Sequence, residues 1–183
     1  MRFCVNLALF YLYLRWMQEA YATEYASWTP AEIATAAAPR VGSLQAATLL
    51  GMAIGGLSAG FLVRAGREKW PMVCVPIAFA PMIALFPYAL TGWGYVMASL
   101  AGIGFAAMVP ISIFLAQQLL PHRANLASSL MMGGAWTVAM IGPRLAEFSV
   151  SHWGLRATFL LTACGLFASG IFCLPLPRSI PKP

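Results

Sequence analysis

"SLQAATLLGMAIGGLSAGFLV", residues 43–63, runs for 21 positions without a charged side chain. No two-residue alternation of apolar and polar positions passes through it, so it reads as a helix and not as a barrel strand. About 20 apolar residues at 1.5 Å each span a hydrocarbon core of ~30 Å. A helix also satisfies its own backbone hydrogen bonds, which hydrocarbon demands of anything that crosses it. Gly51 with Gly55, and Gly56 with Gly60, repeat at a spacing of four. That spacing puts each pair on one face, where a partner backbone can come close, and predicts a helix-packing role for all four.

Outward from this stretch, five more apolar segments can be drawn: 3–21, 71–90, 94–120, 126–142 and 155–174. The composition agrees with a chain dissolved in lipid. Of 183 residues, 61% are hydrophobic and 9% charged, where a soluble domain carries about 25% charged residues. The chain is therefore read as all-α and polytopic, a single six-helix transmembrane domain over 1–183. The stretch 23–40, with Pro30 and Pro39, is expected to be a loop with a short helix starting near Pro30, and Ser43 is expected to N-cap the second span. "RAGREKW" (64–70), "TGW" (91–93), "PHRAN" (121–125) and "SHWG" (151–154) separate the others. The tail "PLPRSIPKP" (175–183) is too proline-rich to be helical.

The basic residues set the expected orientation. With both ends inside, the inner segments hold Arg2, Arg64, Arg67, Lys69, Arg123, Arg178 and Lys182, and the outer ones Arg40, Arg144 and Arg156. The excess on one side predicts cytoplasmic termini. Trp28, Trp70, Trp93, Tyr95 and Trp153 fall near span ends, as an interfacial aromatic belt requires. Arg2, Phe3–Leu14 and Ala20-Tyr21-Ala22 also have the layout of a secretory leader, but Arg15 and Glu19 crowd the region before the cut.

Several function classes drop out. The net charge of +6 is scattered between apolar runs, not gathered in a stripe, so nucleic acid is not an expected partner. Cys4, Cys74, Cys164 and Cys173 show no Cys-x-x-Cys spacing and read as buried packing thiols; no metal or other cofactor is expected. No Gly-x-Ser-Gly and no "GxxxxGK[ST]" occurs, and both histidines, His122 and His152, fall between spans, so neither an intramembrane protease nor an ATPase is read.

From the second span onward the chain resembles the major facilitator superfamily. The signature loop of that family reads roughly Gly-x3-Asp-Arg-x-Gly-Arg-Lys, and "AGFLVRAGREKW" (59–70) keeps its basic and glycine parts in Arg64, Gly66, Arg67 and Lys69. Val63 stands where the aspartate would be, and Ala59 where the first glycine would be. "AQQLLPHRANLASSLMMGGAW" (116–136) followed by "HWGLRATFLLTA" (152–163) resembles the C-terminal half of the fosmidomycin-resistance-type efflux branch, and "LRWMQ" (14–18) resembles the start of that half. The resemblance implies one half of a twelve-span bundle, hence a second six-helix half or another copy of the chain as partner. It also implies a small-molecule substrate, proton-coupled efflux, gating by the signature loop, and a bacterial inner-membrane location. The alternative is a non-transporting accessory or scaffold subunit, or an inactive transporter fragment.

Arg15 and Glu19 are the unusual charges of the first span. Counted from Phe3, Arg15 lies about 18 Å along the helix, just past the middle of a ~30 Å core. An arginine near mid-membrane costs roughly 2.5–3.5 kcal/mol. The i,i+4 spacing allows Glu19 to pair with it, and Gln18 adds a polar neighbour. That face is expected to point into the bundle or a watery cavity. The first helix of each half lines the central cavity in the family, so Arg15 and Gln18 are read as contacts for a polar or anionic substrate, and Glu19 as a proton-titrating or gating group. Trp136, with Thr137, Met131 and Met132, suits an adaptable lining for apolar substrates, with helix packing as the alternative role. Gln117 and Gln118 read as helix-end hydrogen bonders, Arg144 and Glu147 as a pair near the outer surface, and Pro110 as a bend in the fourth span.

Overall fold

The computed structural model describes residues 2–62, 69–89 and 91–175. Every regular element among them is helical: α1 (Arg2–Glu24), α2 (Pro30–Leu62), α3 (Lys69–Leu85), α4 (Thr91–Ala106), α5 (Val109–Leu119), α6 (Ala124–Ser129), α7 (Ala135–Ala139) and α8 (Ile141–Ile171). The loop residues Arg64, Gly66 and Arg67, and most of the proline-rich tail, lie outside the described residues.

Four stretches are long and apolar enough to cross a membrane: Pro30–Phe61, Lys69–Tyr88, Gly92–Gln118 and Pro121–Ile171. In α1, Asn6, Arg15, Gln18 and Glu19 lower the mean hydropathy. The surface is greasy in the manner of an integral membrane protein. Leu49, Leu50, Ile54, Leu57 and Phe61 of α2 are more than half exposed, as are Val138, Met140, Ile141, Leu145 and Phe148. A soluble monomer does not leave apolar faces of this extent in water.

α2 starts earlier than the sequence suggests. Glu32 Oε2 accepts from the Thr29 backbone N–H at 2.7 Å and from Thr29 Oγ1 at 2.8 Å, while Thr29 Oγ1 accepts from Glu32 N–H at 3.4 Å. This reciprocal cap, with Pro30 at the first helical position where no N–H is needed, starts the helix at once. The expected loop over 23–40 therefore ends at Thr29, and Ser43 is not an N-cap. It lies on an exposed face inside α2, where its hydroxyl donates to Arg40 O at 2.8 Å and accepts from the Tyr95 hydroxyl at 2.9 Å. With 33 residues, α2 is about 50 Å long, well beyond a ~30 Å core.

α4 and α5 form one rod with a break at Ala107–Met108, just ahead of Pro110. Ala107 N–H still reaches Ile103 O at 3.0 Å, and Ser112 N–H reaches Met108 O at 3.0 Å, so the bend is confined to the turn where proline has no donor. The stretch Pro121–Ile171 has 51 residues, about 76 Å of helix and more than twice a core thickness. Gly142 and Gly165 both lie against the Cys4–Val5 turn of α1, so the chain doubles back between them. It does so at Gly154, whose φ of 79° and ψ of 169° suit glycine alone. The expected separator at 151–154 thus shrinks to one residue, because Ser151, His152 and Trp153 remain helical. A π turn at Leu130–Gly134 interrupts the same rod between α6 and α7.

The tightest seam joins α2 to α4. The two run parallel: Gly51 meets Ser99 and Gly55 meets Ile103 in the same order along both chains. A Cβ at Gly51 would sit 2.9 Å from Ser99 Cα, one at Gly55 2.8 Å from Ile103 Cα, and one at Gly102 2.9 Å from the Met52 nitrogen. The helices therefore touch backbone to backbone. Gly56 and Gly60 differ from their neighbours: nothing lies within 4 Å of a Cβ at either, because they face away from α4.

The core is aromatic and sits toward the Phe86 end. Tyr13, Phe86 and Phe159 are fully buried. Phe86 rings approach those of Tyr13 at 4.8 Å, Trp16 at 5.0 Å and Phe159 at 5.4 Å. One side chain in the turn after α3 thus ties α1 to α8. The cysteines are not buried thiols: Cys74 and Cys164 are exposed, Cys4 and Cys173 half-buried. Lipid surroundings make exposure of a small apolar thiol inexpensive, so burial is not required of it.

Candidate functional site

Three polar groups on α1 and α8 bear on function. The first is the expected one around Arg15. Tyr13 and Trp16 pack on Phe86, which follows the last residue of α3. Arg15 is therefore level with the end of α3 and not with its middle. The depth counted from Phe3 assumed helices that start flush. Asn6 instead packs against Met52, about 15 Å short of the end of α2. No ion pair joins Arg15 to Glu19 among the described residues. Glu19 is exposed and Arg15 half-buried, with its Nε buried and without a hydrogen-bond partner; Gln18 is half-buried. The contact recorded at Glu19 is through its carbonyl, which accepts from Thr23 Oγ1 at 2.8 Å. The spacing permits pairing, but at a helix end open to solvent an exposed carboxylate gains little from it.

Beyond Arg15, the connection to α2 is an aromatic stack. Tyr25 and Trp28 lie 4.2 Å apart, Tyr21 lies 6.0 Å from Tyr25, and Arg40 stands 5.5 Å over the Tyr21 ring. The Tyr25 phenol is held above its ordinary range, first by hydrogen bonding to Glu24 and then by the charge of that carboxylate.

The second group lies on α8. Arg144 Nη1 reaches Glu147 Oε2 at 3.1 Å, and the two side chains are 84% and 54% exposed. They sit about 10 to 15 Å before Gly154 along the helix axis, amid exposed Leu145 and Phe148.

The third group escaped the sequence reading, which counted Arg2 as a flanking topology charge. Arg2 Nη2 donates to Ser112 Oγ at 2.6 Å, and Ser112 in turn donates to Met108 O at 2.8 Å, so α1 is tied to α5. Arg2 Nη1 and Asn6 Oδ1 are buried and have no partner among the described residues. Asn6 is 2% exposed, and its amide nitrogen has only the Met52 sulfur at 3.9 Å. The signal in the sequence was the i,i+4 spacing of Arg2 and Asn6, which sets both on one helix face.

Other expected residues are placed as follows. Trp136 is 37% exposed and its ring lies 5.2 Å from that of Phe3. Gln117 donates to Ser128 Oγ at 2.8 Å, joining α5 to α6. Lys69 opens α3 and is half-buried. His122 lies in the turn before α6, and His152 contacts Phe148 O at 2.9 Å at the exposed end before Gly154. Among the described residues no three His, Cys, Asp or Glu side chains converge. Two larger voids flank the bundle. One of about 450 Å³ lies between α2, α3, α4 and α5 and is lined by Trp70, Cys74, Phe79 and Ile111 among others. One of about 200 Å³ lies between α1 and α8 beside Cys4, Gly142 and Thr158.

The chain is 28% identical over 120 residues to the multidrug resistance protein MdtG of Klebsiella pneumoniae (strain 342), an alignment that takes in 65% of this chain. It spans 29% of the length of that relative. No solved structure matches. The sequence profile of the Major Facilitator Superfamily, a family of transporters and not of enzymes, matches residues 2–183. With its all-helical bundle and apolar exterior, the chain belongs to the major facilitator superfamily.

Proposed function

We propose that this chain is a six-span half of a secondary transporter that moves a small molecule across the membrane by proton-coupled efflux. The six rods would be α1, the later two-thirds of α2, α3 with its following turn, α4 with α5, the chain from 121 to 153, and the chain from 155 to 171. The positive-inside count favours cytoplasmic termini. The carrying observation is the exposed Arg144–Glu147 pair on a face shared with exposed Leu145 and Phe148. Charges facing lipid are costly, so this face calls for a water-filled cavity or a facing polypeptide. A second six-helix half supplies both. Efflux of drug-like compounds is suggested by the name of the Klebsiella relative alone.

In this reading Arg15, Gln18 and Trp136 border the substrate path, Glu19 titrates with the coupling proton, and Arg64, Gly66, Arg67 and Lys69 gate the cytoplasmic side. The test is dye movement driven by a proton gradient in inverted vesicles, with and without a co-expressed six-helix N-terminal half. Gradient-dependent movement that Arg15→Ala abolishes, with insertion intact, supports the assignment. Insertion without movement in either preparation identifies a non-transporting subunit, and normal movement by Arg15→Ala removes Arg15 from the path.

A further inference from the structure

We infer that the void between α1 and the two arms of α8, 141–153 and 155–171, is a binding site for a small neutral aromatic molecule that donates a hydrogen bond, with the size and chemistry of indole. The site is independent of what the chain transports. The arms close on α1 at Gly142, which meets Cys4, and at Gly165, which meets Val5. Between those contacts they leave about 200 Å³. An engineered cavity of about 150 Å³ holds benzene, so a fused two-ring molecule fits here. Leu145 and Leu161 line the void and are 57% and 47% exposed, so a ligand enters sideways, from the hydrocarbon.

Four polar side chains line the void: Cys4, Ser149, Thr158 and Thr162. Each has already spent its proton on a backbone carbonyl. Ser149 Oγ donates to Leu145 O at 2.8 Å, Thr158 Oγ1 to Gly154 O at 2.9 Å and Thr162 Oγ1 to Thr158 O at 2.7 Å. Cys4 Sγ donates to Val138 O at 3.4 Å. A hydroxyl oxygen that donates its proton keeps its lone pairs, so the wall offers acceptors while its donors are committed. Thr158 is 2% exposed and Thr162 9%, which keeps bulk water from those lone pairs. The rest of the wall is alanine, glycine, valine and leucine, which suits a flat apolar ring. Among the described residues no charged side chain lines the void, and an ion there would lose its hydration without a counter-charge. The matching ligand is therefore neutral and brings a donor but no strong acceptor. An indole N–H is a donor only.

Equilibrium dialysis of indole, 1-methylindole and benzofuran against the full chain in lipid nanodiscs reads the site, with empty nanodiscs measuring uptake by lipid. 1-Methylindole lacks the donor, and benzofuran puts an acceptor in its place. The wild type should hold indole at least about fivefold more tightly than either, equivalent to ~1 kcal/mol, the worth of one neutral hydrogen bond. Thr158→Val and Thr162→Val, made singly, keep the side-chain shape and remove an acceptor. At least one of them should weaken indole about fivefold and leave 1-methylindole within about twofold, whereas a purely structural role would move both ligands together. Thr35→Val removes a hydroxyl bonded in the same way, to Ala31 O at 2.9 Å on α2, and should keep all three affinities within about twofold of the wild type. Equal affinity for indole and 1-methylindole, uptake no greater than that of empty nanodiscs, or wild-type indole affinity in both threonine variants overturns the site. If Thr158→Val fails to insert, Thr162→Val decides. A chain that prefers indole in this way yet moves no dye under a gradient supports the site and overturns only the transport reading.

Discussion

Replacing Gly51 by alanine, with Gly56→Ala as its control, isolates the α2–α4 seam. At Gly51 the added Cβ would stand 2.9 Å from Ser99 Cα, against an ordinary contact of 3.4 Å or more, so the helices must part by at least 0.5 Å. The obstructing atoms are backbone, which no rotamer change can move aside. Overpacking of this kind costs about 1–3 kcal/mol, and the better helix propensity of alanine returns up to ~1 kcal/mol. Gly56→Ala meets nothing within 4 Å and keeps only the gain. The two variants should therefore differ by about 1–3 kcal/mol, the seam cost that Gly56→Ala escapes. For a chain of this size that corresponds to roughly 2–12 °C in thermal midpoint. Thermal denaturation of the solubilised protein, followed by near-ultraviolet circular dichroism, measures the gap. A Gly51→Ala protein that melts at or above Gly56→Ala would refute the close approach.

Phe86→Ala removes the ring shared by Tyr13, Trp16 and Phe159; it should cost about 3–5 kcal/mol in the same melting assay. Glu19→Gln breaks no ion pair among the described residues and should leave stability within about 0.5 kcal/mol, so a large loss would restore the Arg15–Glu19 couple. Gly154→Ala forces a side chain onto a backbone with φ 79° and ψ 169° and should cost about 1–3 kcal/mol, visible as a lower midpoint with unchanged helical signal at low temperature.

Much of the architecture was legible because hydrocarbon is a strict solvent. It permits few backbone solutions, so apolar runs such as 43–63 could be read directly as helices. Boundaries were less legible where side chains outside the apolar runs decided them. The Thr29–Glu32 cap starts α2 ahead of Ser43, and a capping pair separated by three positions carries little weight beside two prolines. Arg15 was recognised as unusual from its neighbours in the chain, but its depth depended on the level at which α1 meets α2 and α3. That level is a matter of packing and leaves no trace in the spacing.

What the sequence by itself determined was the solvent, the helical class and the order of the rods, since each follows from local runs of side chains that water or lipid must accept. The tertiary structure alone decided which glycines touch a partner, that Phe86 joins α1, α3 and α8, and that Arg2 meets Ser112 of α5 while Asn6 meets Met52 of α2. These depend on the rotation and depth of one helix against another, quantities set by the sum of all contacts and by no single stretch of residues.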